Sequence, residues 1–151
     1  MPRYVIADTS VFIIFDKINQ FDLLKDVYQK VYTTPEIAKE FNKVLPKWIS
    51  IESPKDIKYQ ELIKTQVDIG EASAIALAME HDNSLLILDD LKARRLVKRL
   101  NIQFTGTLGV INKAKSSGYI SSIKPLLDKL QETDFRVSDN IIKDLLRRNG
   151  E

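Results

Sequence analysis

Near the start of the chain, Tyr4-Val5-Ile6-Ala7 forms a short apolar run that is stopped by Asp8-Thr9-Ser10. Without polar alternation, such a run reads as a strand buried on both faces before a helix cap, with Ser10 or Thr9 as the capping residue. That helix carries Val11, Ile14, Phe15 and Ile18 at the i, i+3, i+4, i+7 spacing of a core-facing stripe. A second helix is expected over Phe21 to Gln29 and a brief strand at Val31-Tyr32-Thr33. Thr34-Pro35-Glu36 then opens a helix to about Lys43, with Pro at the first helical position. Trp48-Ile49-Ser50-Ile51 is ambiguous by pattern and short enough for an edge strand. Pro54 to Gln66 is helical in period but polar. Beyond Gly70, the segment Glu71 to Met79 is rich in Ala, which favours helix and leaves room for close packing on a sheet. Leu85-Leu86-Ile87-Leu88 repeats the buried-strand pattern, again stopped by acids, Asp89-Asp90. The next helix puts Ala93, Leu96, Val97 and Leu100 on one face. A strand at Ile102-Gln103-Phe104, a helix from Gly106-Thr107-Leu108-Gly109 to near Gly118, and helices at Pro125 to Leu130 and Asp139 to Arg148 complete the pattern. Strands alternating with helices predict an α/β chain with a parallel sheet covered on both sides. No repeat, low-complexity tract or linker divides its 151 residues, a length suited to one domain, with helices at about 121–149 packing on it or extending it.

Composition narrows the chemistry. With 44% hydrophobic and 29% charged residues the chain can bury a core and is not of a disordered type. Cysteine is absent, which removes disulfides, thiolate metal sites and thiol nucleophiles together. The single histidine, His81, excludes a multi-histidine metal site and leaves no convincing Ser-His-Asp set. Neither phosphate-binding glycine motif occurs, and Gly106-Thr107-Leu108-Gly109 reads as a turn and helix start. No apolar run approaches the roughly 18 residues of a spanning helix and the start lacks a signal-like pattern, so a cytoplasmic location away from membranes is expected.

In an open parallel sheet, residues directly after the buried strands face the ligand crevice. Asp8 and the pair Asp89-Asp90 occupy such positions. Glu71, at the start of the Ala-rich helix, and Glu40, late in the helix after the second strand, can open onto the same edge. Acids at strand ends and in first helical turns are also ordinary caps, worth about 0.3 to 1 kcal/mol each. Glu40 lies where a negative charge opposes the helix dipole, so capping does not account for it. Converging carboxylates repel and raise one another's pKa unless a cation compensates, and a hard ion such as Mg2+ or Mn2+ suits oxygen donors and phosphodiester hydrolysis. The charge is also polarised. From Leu91 to Leu127 there is no Asp or Glu, while Lys92, Arg94, Arg95, Lys98, Arg99, Lys113, Lys115 and Lys124 are basic, within a net charge of only +2. This stretch is suited to the phosphates of RNA, with Lys92, Arg94, Arg95, Lys98 and Arg99 as the expected contacts; a solvated helix face is the plainer alternative.

The segments VIADTSVFI, PEIAKEF, GEASAIALAME, LLILDDLKARRLVKRL and FTGTLGVINKAKSSGYI, in this order, resemble the motifs of PIN-domain proteins over nearly the whole chain. More narrowly they are similar to a prokaryotic branch related to the toxins of VapBC-type modules. The resemblance implies a three-layer α/β/α sandwich with a central, mainly parallel sheet and a Mg2+- or Mn2+-dependent ribonuclease site of three or four carboxylates. Matched residue by residue, the catalytic acids are Asp8, Glu40, Glu71 and Asp90. The metal falls to Asp8, Glu71 and Asp89 or Asp90, and Ser10 is the supporting hydroxyl. Leu88 stands where relatives often have a threonine, which leaves the Asp89/Asp90 register open. A small antitoxin protein and a homodimer are further partners implied by the resemblance. The alternative function is a non-catalytic RNA- or protein-binding module. A phospho-accepting receiver domain fits less well, since it needs its acidic pair after the first strand.

Overall fold

A computed structural model of the chain describes residues 3–151. Its elements, in order, are β1 (Tyr4–Ala7), α1 (Thr9–Lys17), α2 (Phe21–Tyr28), β2 (Val31–Thr33), α3 (Pro35–Phe41), β3 (Ile49–Ile51), α4 (Ile57–Ile63), α5 (Ile69–Met79), β4 (Ser84–Ile87), α6 (Leu91–Arg99), β5 (Gln103–Thr105), α7 (Thr107–Ser116), α8 (Lys124–Gln131) and α9 (Asp139–Arg148). The five strands form one sheet in the order β3-β2-β1-β4-β5, every pair parallel. Tyr4 to Ala7 pair residue by residue with Ser84 to Ile87. β1 is therefore flanked by β2 on one side and β4 on the other. The chain winds outward to β3, then returns across β1 to build β4 and β5, and the reversal between β1 and β4 is where such sheets leave a crevice at their carboxyl ends.

The sandwich layers follow from alternation along the strands. Tyr4 stacks on His81 behind α5 at 3.6 Å between ring centres, while its neighbour Val5 faces the opposite layer with Leu85, its register partner. On the first face α5 packs on β1 and β4 and against α3 and α4; on the second, α2 packs on β2, α7 on β5, and the two helices on each other. The core runs through both layers and includes Ile6, Phe12, Phe15, Leu24, Ile75, Leu86 and Ile111, all under 2% exposed. Positions 70 to 78 of α5 are buried on every side, which explains the preference for Ala there. Phe12, Phe21, Phe41 and Trp48 meet with ring centres 5.6 to 5.9 Å apart and lock α1, α2 and α3 together. Trp48 is thus packing, and the ambiguous segment behind it is the edge strand β3.

Several predicted boundaries shift, β4 and β5 by one residue each, to Ser84–Ile87 and Gln103–Thr105. The helix expected over Pro54 to Gln66 is only Ile57–Ile63, because the Glu80 carboxylate accepts from Lys55 N (2.8 Å) and Asp56 N (3.0 Å) and holds that stretch off the helix, and Asp56 then caps it through Tyr59 N. The Ala-rich helix starts two residues early because Asp68 is its cap. Asn42, in the left-handed region at φ 56°, ends α3 short of Lys43. α8 supplies Leu126, Leu127 and Leu130, and α9 Ile142, to the same core as the sheet. The Glu151 carboxylate ties this end down by accepting from Ile123 N and Lys124 N at the start of α8 and from Lys115 of α7, contacts that hold its pKa down at about 2.

Candidate active site

At the carboxyl end of β1 the chain turns directly into α1. Asp8 sits in extended backbone at this junction, 5% exposed, and its carboxylate makes no capping bond to the helix. Burial pushes its pKa up to about 7; the Thr9 backbone N–H works against this, and the carboxylates of Asp68, Glu40 and Asp89 add to the rise. Glu71, 8% exposed in the first turn of α5, is likewise pushed up to about 7, first by burial and then by Asp68, Asp8 and Asp90. The charges acting most strongly on these two carboxyls are all negative. Glu71 is held by a reciprocal capping box: Asp68 accepts from Glu71 N at 2.8 Å, and Glu71 accepts from Asp68 N at 3.3 Å. The start of α5 is fixed against α3 by a bond of 2.6 Å between the Ser73 and Thr34 hydroxyls, and Thr34 also caps α3 through Ile37 N. Thr33 donates to the Ala7 carbonyl at 3.1 Å, tying β2 to the residue before Asp8.

The other predicted residues fall into distinct places. Glu40 is exposed on the last turn of α3. Its Oε1 would lie 3.4 Å from a Cβ added at Gly70, an ordinary contact distance that sets the Glu40 carboxylate against the first turn of α5. Asp90 is exposed, caps α6 through Ala93 N at 2.8 Å and bears electrostatically on Glu71. Asp89 is drawn the other way: it accepts from Thr107 N (2.9 Å) and Thr107 Oγ1 (2.6 Å) and pairs with Arg94 at 3.6 Å, bracing β4 against the start of α7. Ser10 is exposed, while its neighbour Thr9 is buried, with Oγ1 lacking a hydrogen-bond partner. That oxygen would lie 3.6 Å from a Cβ at Gly70, on the Glu40 side of the cluster.

Among the expected RNA contacts, Lys92, Arg95, Lys98 and Arg99 are exposed along α6, but Arg94 is not part of that row. Its Nε donates to the Leu88 carbonyl at 2.9 Å and its guanidinium lies over the Phe104 ring, so its charge is engaged within the fold. Two residues escaped sequence reasoning, Asp68 and Thr9. The spacing Asp68-x-x-Glu71 is a capping-box signal that could have found the first. For Thr9 no sequence signal separated it from Ser10.

The family comparison bears on this geometry: a model described as a PIN domain matches residues 4–151. The chain is a PIN-domain protein. Among curated proteins none matches it. PIN domains are in general nucleases that bind nucleic acid and use divalent metal ions, and membership supports nuclease-type chemistry here. No helix among the described residues is long and apolar enough to cross a membrane.

The PIN residues present fit a hard divalent ion in a particular way. Among the described residues no three acidic or histidine side chains stand close enough to enclose a cation between them. Mg2+ rarely asks for such a cage, since it keeps several waters and binds through one or two carboxylates together with substrate phosphate. Asp8 and Glu71, both buried with acidic neighbours, are the carboxylates that would hold such an ion, with the unpartnered Thr9 hydroxyl near the Glu40 side of the cluster. All the donors are oxygens, the ligand chemistry of Mg2+ and Mn2+.

Proposed function

We propose that this PIN-domain protein is a Mg2+- or Mn2+-dependent endoribonuclease, its ion held by Asp8 and Glu71. The observation that carries this reading is the pair of buried carboxyls at the sheet's switch point, both pushed up to about 7 by burial and by neighbouring carboxylates. When bound, a divalent ion supplies compensating charge, polarises a phosphoryl oxygen and acidifies a water molecule. Asp8 and Glu71 act as its ionised ligands, and the Asp68 capping box keeps Glu71 in place. Glu40 and Asp90, both exposed, would be the groups that take a proton from attacking water. The exposed Lys92, Arg95, Lys98 and Arg99 of α6 hold phosphates of the strand, a contribution that weakens with salt. Asp89 and Arg94 are positioning residues that fix the ends of β4 and α7.

The test is cleavage of labelled single-stranded RNA with Mn2+, with chelator, and with Asp8→Asn and Glu71→Gln. Cleavage that needs metal and both carboxylates is expected; full activity in either variant defeats the assignment. A second reading, an RNA- or protein-binding module that does not cut, draws on the absence of a three-ligand group among the described residues and on the use of Asp89 and Asp90 as caps. RNA retention in chelator with no cleavage in Mn2+ selects it. In the toxin role that the VapC-like resemblance implies, a small antitoxin protein covers this cleft, and co-expressing it with the nuclease restores growth that the nuclease alone stops.

A further inference from the structure

On the α2/α7 face, toward the amino ends of the strands, the charge is of the opposite sign. Two adjoining hollows of about 550 Å3 and about 560 Å3 share Arg3, Tyr28 and Lys113, forming one groove between α2 and α7 over β1 and β4. Lys98 and Phe104 extend it on one side and Lys30 on the other. Among the described residues no acid lines either half, and none of Arg3, Lys30, Lys98 and Lys113 is ion-paired. Cations gathered around a hollow without counter-charge repel one another and attract anions. Arg3 is fixed there by bonds to the Ser84 carbonyl (3.3 Å) and the Gln103 side chain, and its Nε is buried with no partner. Tyr28 and Phe104 give the groove aromatic rings, and the Arg3 charge reaches the Tyr28 phenol, partly offsetting the rise that burial causes.

Helix α6 joins this groove to the carboxylates. Asp90 caps one end and Lys98 lines the groove near the other, eight residues on, which is about 12 Å of helix. Lys92, Arg95, Lys98 and Arg99 follow one another at i, i+3, i+6 and i+7 along its exposed side, a ridge of positive charge between the two sites.

We propose that the groove is a second binding site for single-stranded RNA, with phosphates on Arg3, Lys98 and Lys113, a base stacked on Tyr28, and the strand led to the carboxylates along α6. It rests on the nuclease reading for the continuity of one strand between the two sites. Unpaired RNA is the ligand, because a duplex hides the base faces that aromatic side chains use, whereas single strands combine a basic track with stacking.

The test uses full-length Asp8→Asn protein in chelator, titrated with a labelled RNA of about a dozen unpaired nucleotides and with the same RNA annealed to its complement. Combining Lys98→Ala with Lys113→Ala is expected to weaken single-strand binding at least about tenfold and to lower the salt slope by about 0.7 per lost cation. Tyr28→Leu is expected to weaken binding at least about fivefold at unchanged slope. Lys58→Ala, on α4 across the sheet, leaves both unchanged. Unchanged affinity and slope in the double lysine variant, or duplex binding as tight as single-strand binding, overturns the proposal. Cleavage by the parent in Mn2+ is scored separately. If the parent cuts while the lysine variant binds normally, the groove fails and the nuclease stands; if the parent does not cut while the variant loses RNA, the nuclease fails and the groove stands.

Discussion

Replacing Asp8 with Asn keeps the shape of the side chain and removes its charge, and the buried position of this carboxyl fixes what should follow. Its pKa is 3.8 in an unfolded chain and about 7 in the folded protein. Below about pH 4 the group is protonated in both states and contributes nothing to the pH dependence. Between about pH 4 and 7 the unfolded chain releases this proton while the folded one keeps it, so folding stability falls as pH rises, and the full cost is present above the folded value. At about 1.4 kcal/mol per pH unit the gap amounts to about 4 kcal/mol. Metal-free Asp8→Asn should therefore match the parent near pH 4 and exceed it in stability by up to about 4 kcal/mol at pH 8.5, about 10 °C in thermal midpoint for a chain of this size. Denaturant and thermal unfolding in chelator across this range read the effect directly. Added Mn2+ should reverse the order, because only the parent gains an ion bound to its native state. A variant that is no more stable than the parent at pH 8.5 without metal refutes the reasoning, since the buried charge would then cost nothing.

Further consequences can be checked separately. Glu71→Gln should abolish metal-dependent RNA cleavage and also the Mn2+-induced rise in melting temperature, measured by scanning fluorimetry at fixed pH. Gly106→Ala places a methyl group 2.5 Å from Asp89 Oδ1 and into the Arg94 guanidinium; crowding of this kind costs about 1 to 3 kcal/mol, read as a lower urea midpoint at unchanged slope. Thr34→Ala removes the α3 cap and a hydrogen bond to Ser73, and should destabilise by about 1 to 2 kcal/mol with a further loss of cleavage as the start of α5 loosens. Arg95→Ala should leave stability within about 0.5 kcal/mol of the parent and weaken RNA binding most at low salt.

The parts of the fold legible in sequence were those decided by burial alone. Tyr4 to Ala7 and Leu85 to Leu88 read as strands because both their faces are covered, and the acids that stop them read as crevice residues because a parallel sheet sends both strand ends to one edge. Less visible was how two neighbouring acids divide their work. Asp89 and Asp90 are chemically identical, and only the turn into α6 sends one to Thr107 and Arg94 and leaves the other exposed near Glu71. Arg94 looked like its neighbours for the same reason: in a stretch of basic residues, the position that faces the Leu88 carbonyl and the Phe104 ring is set by tertiary packing. Asp68 has a local signal only as a cap to Glu71, and it is one; its influence on Asp8 depends on where the sheet places α5. The shortening of α4 came from Glu80, more than twenty residues further on, which no local window registers.

The crossing of the chain from β1 out to β3 and back to β4 has a consequence during synthesis. Asp8 is synthesised ahead of its neighbours in the cluster, which needs α5 and β4, more than sixty residues further along the chain, docked beside β1. On the nuclease reading, a nascent chain that has not yet extended through α5 and β4 carries Asp8 without Glu71 beside it, and the carboxylate cluster exists only once those later elements have docked.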